Sequence, residues 1–211
     1  MPTLKLCLIG TLMLLLPILL ACSKGEEPSE KKAAGKAVNP YSNVTVYDEV
    51  QQKLKENPND AEALYHLADL YDRDAQYKEA IDTYKKALKI RPASGYIYFK
   101  IGTAYDRLDQ PAEAVTAFQS AIKLMPSYAV AYNNLGIAYG KLNKQDQEIT
   151  ALKKAIKLRP RYSSARYNLG VTYMKTGNKQ AAMGEYKALK DFDEGTAEAL
   201  MKEIEKASGT K

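Results

Sequence analysis

Pro58, Pro92, Pro126 and Pro160 are each separated by 34 residues. Proline lacks an amide hydrogen and drives the residue before it out of helical geometry, so each one marks where a helix stops. Between the prolines one skeleton returns. Leu67, Ala68, Tyr71, Ala80, Tyr84 and Ala87 of the first interval become Ile101, Gly102, Tyr105, Ala114, Phe118 and Ala121 of the second. The third interval has Leu135, Gly136, Tyr139, Leu152 and Ala155, and the fourth has Leu169, Gly170, Tyr173, Ala182, Tyr186 and Leu189. A unit this short cannot bury its apolar face alone, so such a chain must stack its units.

Within each unit, spacings of three and four put the leucine, the small residue and the tyrosine on one face of a first helix. A second stretch, such as Lys78 to Ile90, repeats the pattern with Ala80, Tyr84 and Ala87. Small residues such as Gly102 and Ala114 let two helix backbones approach, and the aromatics fill the gaps beside them. Period, phase, residue type and proline together resemble the tetratricopeptide repeat over residues 61–196. The resemblance implies an all-α fold, a right-handed α-solenoid of helix-turn-helix repeats with N- and C-terminal capping helices. Its units are 61–94, 95–128, 129–162 and 163–196. Val46, Val50 and Pro58 fit the back half of an earlier unit, so 44–60 reads as a helix shielding the first repeat. Over 197–211, Thr196 is expected to cap a last helix with Leu200 and Ile204 turned inward and Glu198, Lys202, Glu203 and Lys206 outward.

The first residues obey other rules. Lys5 precedes an apolar run from Leu6 to Leu20 broken only by small residues and Pro17, which has the form of a secretory signal peptide over 1–21. Leu19-Leu20-Ala21-Cys22 resembles the lipobox of bacterial lipoproteins, and that resemblance implies cleavage before Cys22 and acylation (palmitate) of it. A plain signal peptide and an uncut helix are the other two readings; the run is short for a span of roughly 20 apolar residues. Residues 22–43, rich in charge, Gly, Ala and Pro, read as a tether reaching about 25 Å from a membrane. Cys7 falls in the leader, so the mature chain has no disulfide and no thiol nucleophile beyond Cys22.

The formal net charge of +6 is modest. With an exported chain it points away from nucleic acid and toward an anionic surface or an acidic protein. Reactive groups do not converge. His66 is the only histidine, and Asp69 three residues on makes no metal set. No phosphate loop and no catalytic triad is present, so the sequence indicates neither an enzyme nor a cofactor, a metal or a small-molecule substrate.

In tetratricopeptide solenoids the first helices line the concave side. The resemblance then implies a groove lined by Tyr65, His66, Asp69 and Asp72; by Tyr96, Phe99, Lys100, Thr103 and Asp106; by Asn133, Asn134 and Ile137; and by Tyr167, Asn168, Val171 and Met174. Asn134 and Asn168 share a phase, and each can donate and accept at once, which suits an extended peptide backbone. The pair resembles part of the asparagine ladder of protein O-linked N-acetylglucosamine transferases, with His66 and Lys100 standing in the first two units. Asparagines that only bridge or cap neighbouring helices are the other reading. The carboxylate clamp of chaperone-binding tetratricopeptide domains needs cations where this chain has Tyr65, Asp69, Tyr167 and Val171, which disfavours an acidic C-terminus. The aspartates at one end suit a basic or mixed apolar segment.

Two features break the repeat. Glu148 stands where the other units have Ala80, Ala114 and Ala182, so it is expected to reach solvent or pair with a lysine and to loosen its hairpin, as drift or as function. Lys153, Lys154, Lys157, Arg159 and Arg161 form a basic patch, either a solvated face or a docking point for anionic lipid or an acidic partner. The expected function is a non-enzymatic scaffold, lipid-anchored in the envelope, binding a segment of a protein partner in an envelope complex such as a pilus, secretin or outer-membrane machine. The alternative is a lipoprotein that binds cell-wall glycan or regulates wall enzymes. Ser23 lacks the aspartate associated with inner-membrane retention, so the expected location is the outer membrane, facing the periplasm.

Overall fold

Helices end where the prolines arrive. The computed structural model of the protein describes residues 46–209, all helix and short turns, with no strand among them. Helices α1 (Val46–Glu56), α3 (Tyr77–Ile90), α5 (Pro111–Leu124) and α7 (Gln145–Leu158) each stop two residues before a proline. Alternating with them are α2 (Ala61–Arg73), α4 (Gly95–Arg107), α6 (Ala129–Lys141) and α8 (Ser163–Lys175). Then come α9 (Lys179–Lys190) and α10 (Glu194–Gly209).

The turn inside each hairpin is equally periodic. Ala75, Asp109, Asn143 and Gly177 have φ of 58°, 53°, 56° and 77°. The amide after each reaches back over the helix end: Gln76 N to Tyr71 O (2.8 Å), Gln110 N to Tyr105 O (2.9 Å), Lys144 N to Tyr139 O (3.0 Å) and Asn178 N to Tyr173 O (2.8 Å). This left-handed cap satisfies carbonyls the helix would otherwise strand and turns the chain back on itself. Only the fourth unit uses the residue to which that conformation costs nothing.

Packing within a hairpin rests on missing side-chain atoms. A Cβ on Gly102 would lie 2.6 Å from the Phe118 ring, and one on Gly136 would lie 2.8 Å from Leu152 Cγ. The large residue of the second helix thus lies directly on the backbone of the first. The fourth unit departs from the pattern. The atom facing Gly170 is Leu200 Cδ2 of α10, at 2.6 Å, and Tyr186, the counterpart of Phe118, is only half-buried. α10 packs against both α8 and α9 and closes the stack with Ala197, Leu200 and Ile204 fully buried. It begins before Thr196: Asp193 accepts from the Thr196 amide (3.0 Å) and is the cap, leaving Thr196 in the first turn. The Ser163 hydroxyl and that amide hold the Asp193 carboxyl below its ordinary range. At the other end Val50 of α1 is buried, and Tyr47 lies edge-on to Tyr71, 6.5 Å between centroids.

The stack has a sense of curvature. First helices approach one another, α4 against α6 and α6 against α8, whereas among the described residues no pair of successive second helices packs to that extent. First helices therefore form the tight inner layer, and second helices splay on the outside.

The inner face as candidate binding site

The first two units give the inner face an aromatic run. Tyr65 and Tyr96 lie 6.1 Å apart, Tyr96 and Phe99 6.2 Å, Phe99 and Tyr128 4.9 Å. Tyr96 opens α4 behind the Ser94 cap and is 45% exposed, the one large apolar surface this face presents freely among the described residues. Phe99 is a correction. It is buried, its ring wedged between Phe118 (5.8 Å) and Tyr128, so it supports the run without lining it. Tyr128, which continues the run, was missed by counting positions within the first helix because it immediately precedes α6. A hollow of about 200 Å³ beside Tyr65 and Tyr96 is walled by Ser94, Ile97 and Glu62.

Beneath the aromatics lies a charge cluster that neutralises itself. Asp69 accepts from the Tyr84 hydroxyl and from Lys100 Nζ, the latter at 2.9 Å. Burial alone would raise the Asp69 carboxyl, but the hydrogen bonds from Tyr84, Lys100 and Tyr65 outweigh it and hold the group below its usual range. Burial would likewise depress Lys100, and the bond and charge of Asp69 reverse that. Burial, followed by the Asp69 hydrogen bond, raises Tyr65 and Tyr84 far above ordinary phenols. Asp72 is half-buried and raised, chiefly by burial, with Lys100 and Arg107 only partly offsetting it. Asp106 pairs with Lys141 at 2.6 Å, and the Thr103 hydroxyl bonds back to the Lys100 carbonyl (2.8 Å). With Asp69 and Asp106 paired internally, only Asp72 of the three groove aspartates is left to favour a basic segment, which weakens that expected preference. His66 is exposed and faces Glu62, Nε2 to Oε1 3.8 Å, rather than Asp69.

In units three and four the asparagines form a relay rather than parallel rungs. Asn168 Nδ2 donates to Asn133 Oδ1 (3.1 Å), and Asn133 Nδ2 donates to Asn134 Oδ1 (3.1 Å). Asn133 is 4% exposed and so is the buried link, not part of the lining. The half-buried outer members keep one side-chain end each, Asn134 Nδ2 and Asn168 Oδ1, with no protein partner among the described residues. Ile137, Tyr167, Val171 and Met174 are half-buried around them, the last three packed on the C-terminal core cluster.

Glu148 overturns its expectation. It is 6% exposed, makes no ion pair among the described residues, and its hairpin packs as closely as its neighbours. Its Oε1 receives the Thr172 hydroxyl at 2.6 Å, while Oε2 has no hydrogen-bond partner among the described residues. The room comes from Gly140, where a Cβ would meet the Glu148 carboxylate at 2.7 to 2.9 Å. Gly140 is the repeat counterpart of Asp72 and Asp106. The third unit has thus moved its inner-face carboxylate from the first helix to the second, trading Asp for Gly on one side and Ala for Glu on the other. Nothing in the pattern of the second helix alone signals this exchange. It shows only when the two positions are compared together along the period.

The basic patch is exposed, yet four of its five cations lie over rings: Lys153 over Tyr173 (5.8 Å), Lys154 over Tyr132 (5.9 Å), Arg159 over Tyr162 (4.9 Å) and Arg161 over Phe192 (5.3 Å). Cys22 and the tether lie outside the described residues. None of the described helices is long and apolar enough to cross a membrane.

A stack of antiparallel helical hairpins, left-handed at every inner turn and curved with its first helices inward, defines an α-solenoid. A TPR repeat model matches residues 76–109, 110–143 and 141–177, and tetratricopeptide-repeat models match 54–82 and 163–196. The chain belongs to the tetratricopeptide-repeat family. The crystal structure of MamA superposes with a TM-score of 0.65 at 25% identity, over 78% of this chain and 98% of that one. YrrB, described as a TPR protein with an unusual peptide-binding site, gives 0.65 at 26%, over 74% and 81%. The first TPR of Spaghetti (RPAP3), bound to the HSP90 peptide SRMEEVD, gives 0.54 at 26%, over 56% and 93%. No curated protein sequence matches the chain.

Proposed function

We propose that the protein is a non-enzymatic scaffold, anchored by a lipid on Cys22 in the outer membrane and facing the periplasm. Its inner face holds an extended segment or helix of a partner protein from an envelope complex. One observation carries the reading: on a single face, exposed Tyr96 stands at one end and the outer amides of the Asn168–Asn133–Asn134 relay at the other. An aromatic anchor supplies apolar area, and an amide that can donate beside one that can accept matches what a polypeptide backbone offers at each residue. The peptide-binding site of YrrB and the peptide held by RPAP3 lend support by likeness of fold. The anchor rests on the apolar leader ending in Leu19-Leu20-Ala21-Cys22, and the outer-membrane placement on Ser23.

Co-purification from detergent-solubilised native membranes tests the binding role, comparing the wild type with a Tyr96→Ala, Asn134→Ala variant. A polypeptide retained by the first and lost by the second, with helicity unchanged, is the expected result. Equal recovery by both would refute the inner-face role, and retention on isolated wall material instead would favour a glycan ligand. Mass spectrometry of the mature N-terminal peptide tests the anchor. An unmodified Cys22, or one still joined to Ala21, would refute it.

A further inference from the structure

Outward splay of the second helices leaves the far side of the first helices in view, and twice it leaves a hollow. Between α3 and α5 a hollow of about 500 Å³ is floored by Tyr98, Ile101 and Tyr105 of α4 and walled by Leu88 and Ala117. A second, of about 400 Å³, is floored by Tyr132, Leu135 and Tyr139 of α6 and walled by Ala151. These are the same positions moved on by one 34-residue unit, and they share their bonding. Lys85 Nζ donates to the Tyr105 hydroxyl (3.0 Å), and its counterpart Gln119 Nε2 donates to the Tyr139 hydroxyl (2.9 Å).

The fourth unit shows the same place filled. Arg166 stands where Tyr98 and Tyr132 stand, and Glu185 where Ala117 and Ala151 stand. The two pair at 2.6 Å with both side chains under 20% exposed. The protein therefore has its own means of covering this gap and leaves two of them open.

We propose that each of these two outer hollows docks an amphipathic, acidic helix of a partner protein. Floor residues at spacings of three and four run about 10 Å along a helix axis, the pattern that a facing helix fills with apolar side chains at the same spacing. The rim is cationic. Lys85 and Lys89 border the first hollow against Glu113 alone, and Lys154 borders the second, where Gln147 replaces that glutamate. Lys85 is already held on the Tyr105 hydroxyl, and Lys154 rests over Tyr132 at 5.9 Å, so their charges are positioned before anything arrives. The surface lies on the outer layer and is independent of inner-face binding.

The test uses the folded protein and a fluorescein-labelled peptide of about three heptads, leucine at the first and fourth positions and glutamate and alanine elsewhere, read by anisotropy. Its counterpart carries lysine for glutamate. Closing the hollows with the fourth unit's own ion pair, Tyr98→Arg with Ala117→Glu and Tyr132→Arg with Ala151→Glu, should weaken the acidic peptide by at least about tenfold. Thr116→Glu with Thr150→Glu, at exposed positions lining the hollows, should do the same without touching the floor. Tyr96→Ala with Asn134→Ala should leave binding unchanged. Equal affinity for the two peptides, or for wild type and both sets of variants, overturns the proposal. So does self-association in sedimentation that the closed variant abolishes, which would make a second copy the occupant. Binding confined to vesicles of phosphatidylglycerol and phosphatidylcholine would make the surface a membrane one and overturn it equally.

Discussion

The exchange between Gly140 and Glu148 yields a sharp energetic prediction. Removing the carboxylate by Glu148→Ala takes away one of the two acceptors of the Thr172 hydroxyl, leaving it the Asn168 backbone carbonyl (2.8 Å), and opens a void where the side chain packed, at a cost of about 1.5 kcal/mol. Gly140→Asp alone forces a side chain into space where Glu148 oxygens lie 2.7 and 2.9 Å from its first carbon. It also adds a like charge in an enclosed site, so it should cost about 3 kcal/mol. Together the two substitutions rebuild the arrangement of the first two units. The new aspartate would stand 35 residues before Lys175, the separation of the Asp106–Lys141 pair. The double variant should lose no more than about 1.5 kcal/mol, a coupling of about 3 kcal/mol. Urea unfolding followed by far-ultraviolet circular dichroism gives the global values. Hydrogen exchange in α6 and α7 shows whether the change is local, which matters because a repeat array need not unfold in one step. Costs that simply add would refute the exchange and return Glu148 to accidental drift.

Other residues bear on the same account. Ala75 holds a left-handed conformation that its Cβ disfavours, so Ala75→Gly should raise stability by about 1 kcal/mol, seen as a higher urea midpoint. Lys100→Met leaves half-buried Asp69 with the tyrosine bonds alone and should cost about 1–2 kcal/mol at neutral pH. The Asp69 carboxyl is depressed in the folded protein, so its contribution is present above the unfolded value near about 3.9 and fades as pH falls through the lower folded one. The difference from wild type should therefore shrink in acid. Asp72 has the opposite sign. Its raised carboxyl means stability falls as pH rises through the interval above about 3.9, and Asp72→Asn should raise the melting temperature at neutral pH and lose that advantage in acid.

The repeat architecture was legible because period and proline agree from Pro58 through Pro160, and the apolar skeleton carries the same phase into the fourth unit, where Glu194 stands at the proline position. Legibility weakened wherever a contact joined two units. Counting inner positions found Tyr96, Lys100 and the asparagines, but it could not say that Phe99 lies under Tyr128 or that Asn133 is sandwiched between Asn168 and Asn134. Both depend on side chains from a neighbouring unit. Glu148 looked misplaced because it was compared with its own column, whereas the compensating change lies in the column of Asp72 and Asp106 on the first helix. Residue type points to Thr196 as a cap, but Asp193 takes that place because α10 starts earlier and brings Leu200 onto Gly170. The outer hollows follow from curvature, a property of the stack that no single unit encodes.

Photo-crosslinking in native membranes tests the central claim most directly, with a benzophenone amino acid placed at Tyr96, at Asn134, and at exposed Glu198 of α10 as a control. Inner-face binding predicts one discrete polypeptide adduct shared by positions 96 and 134 and missing from position 198. Adducts absent from both inner positions, or equally abundant at all three, would contradict it.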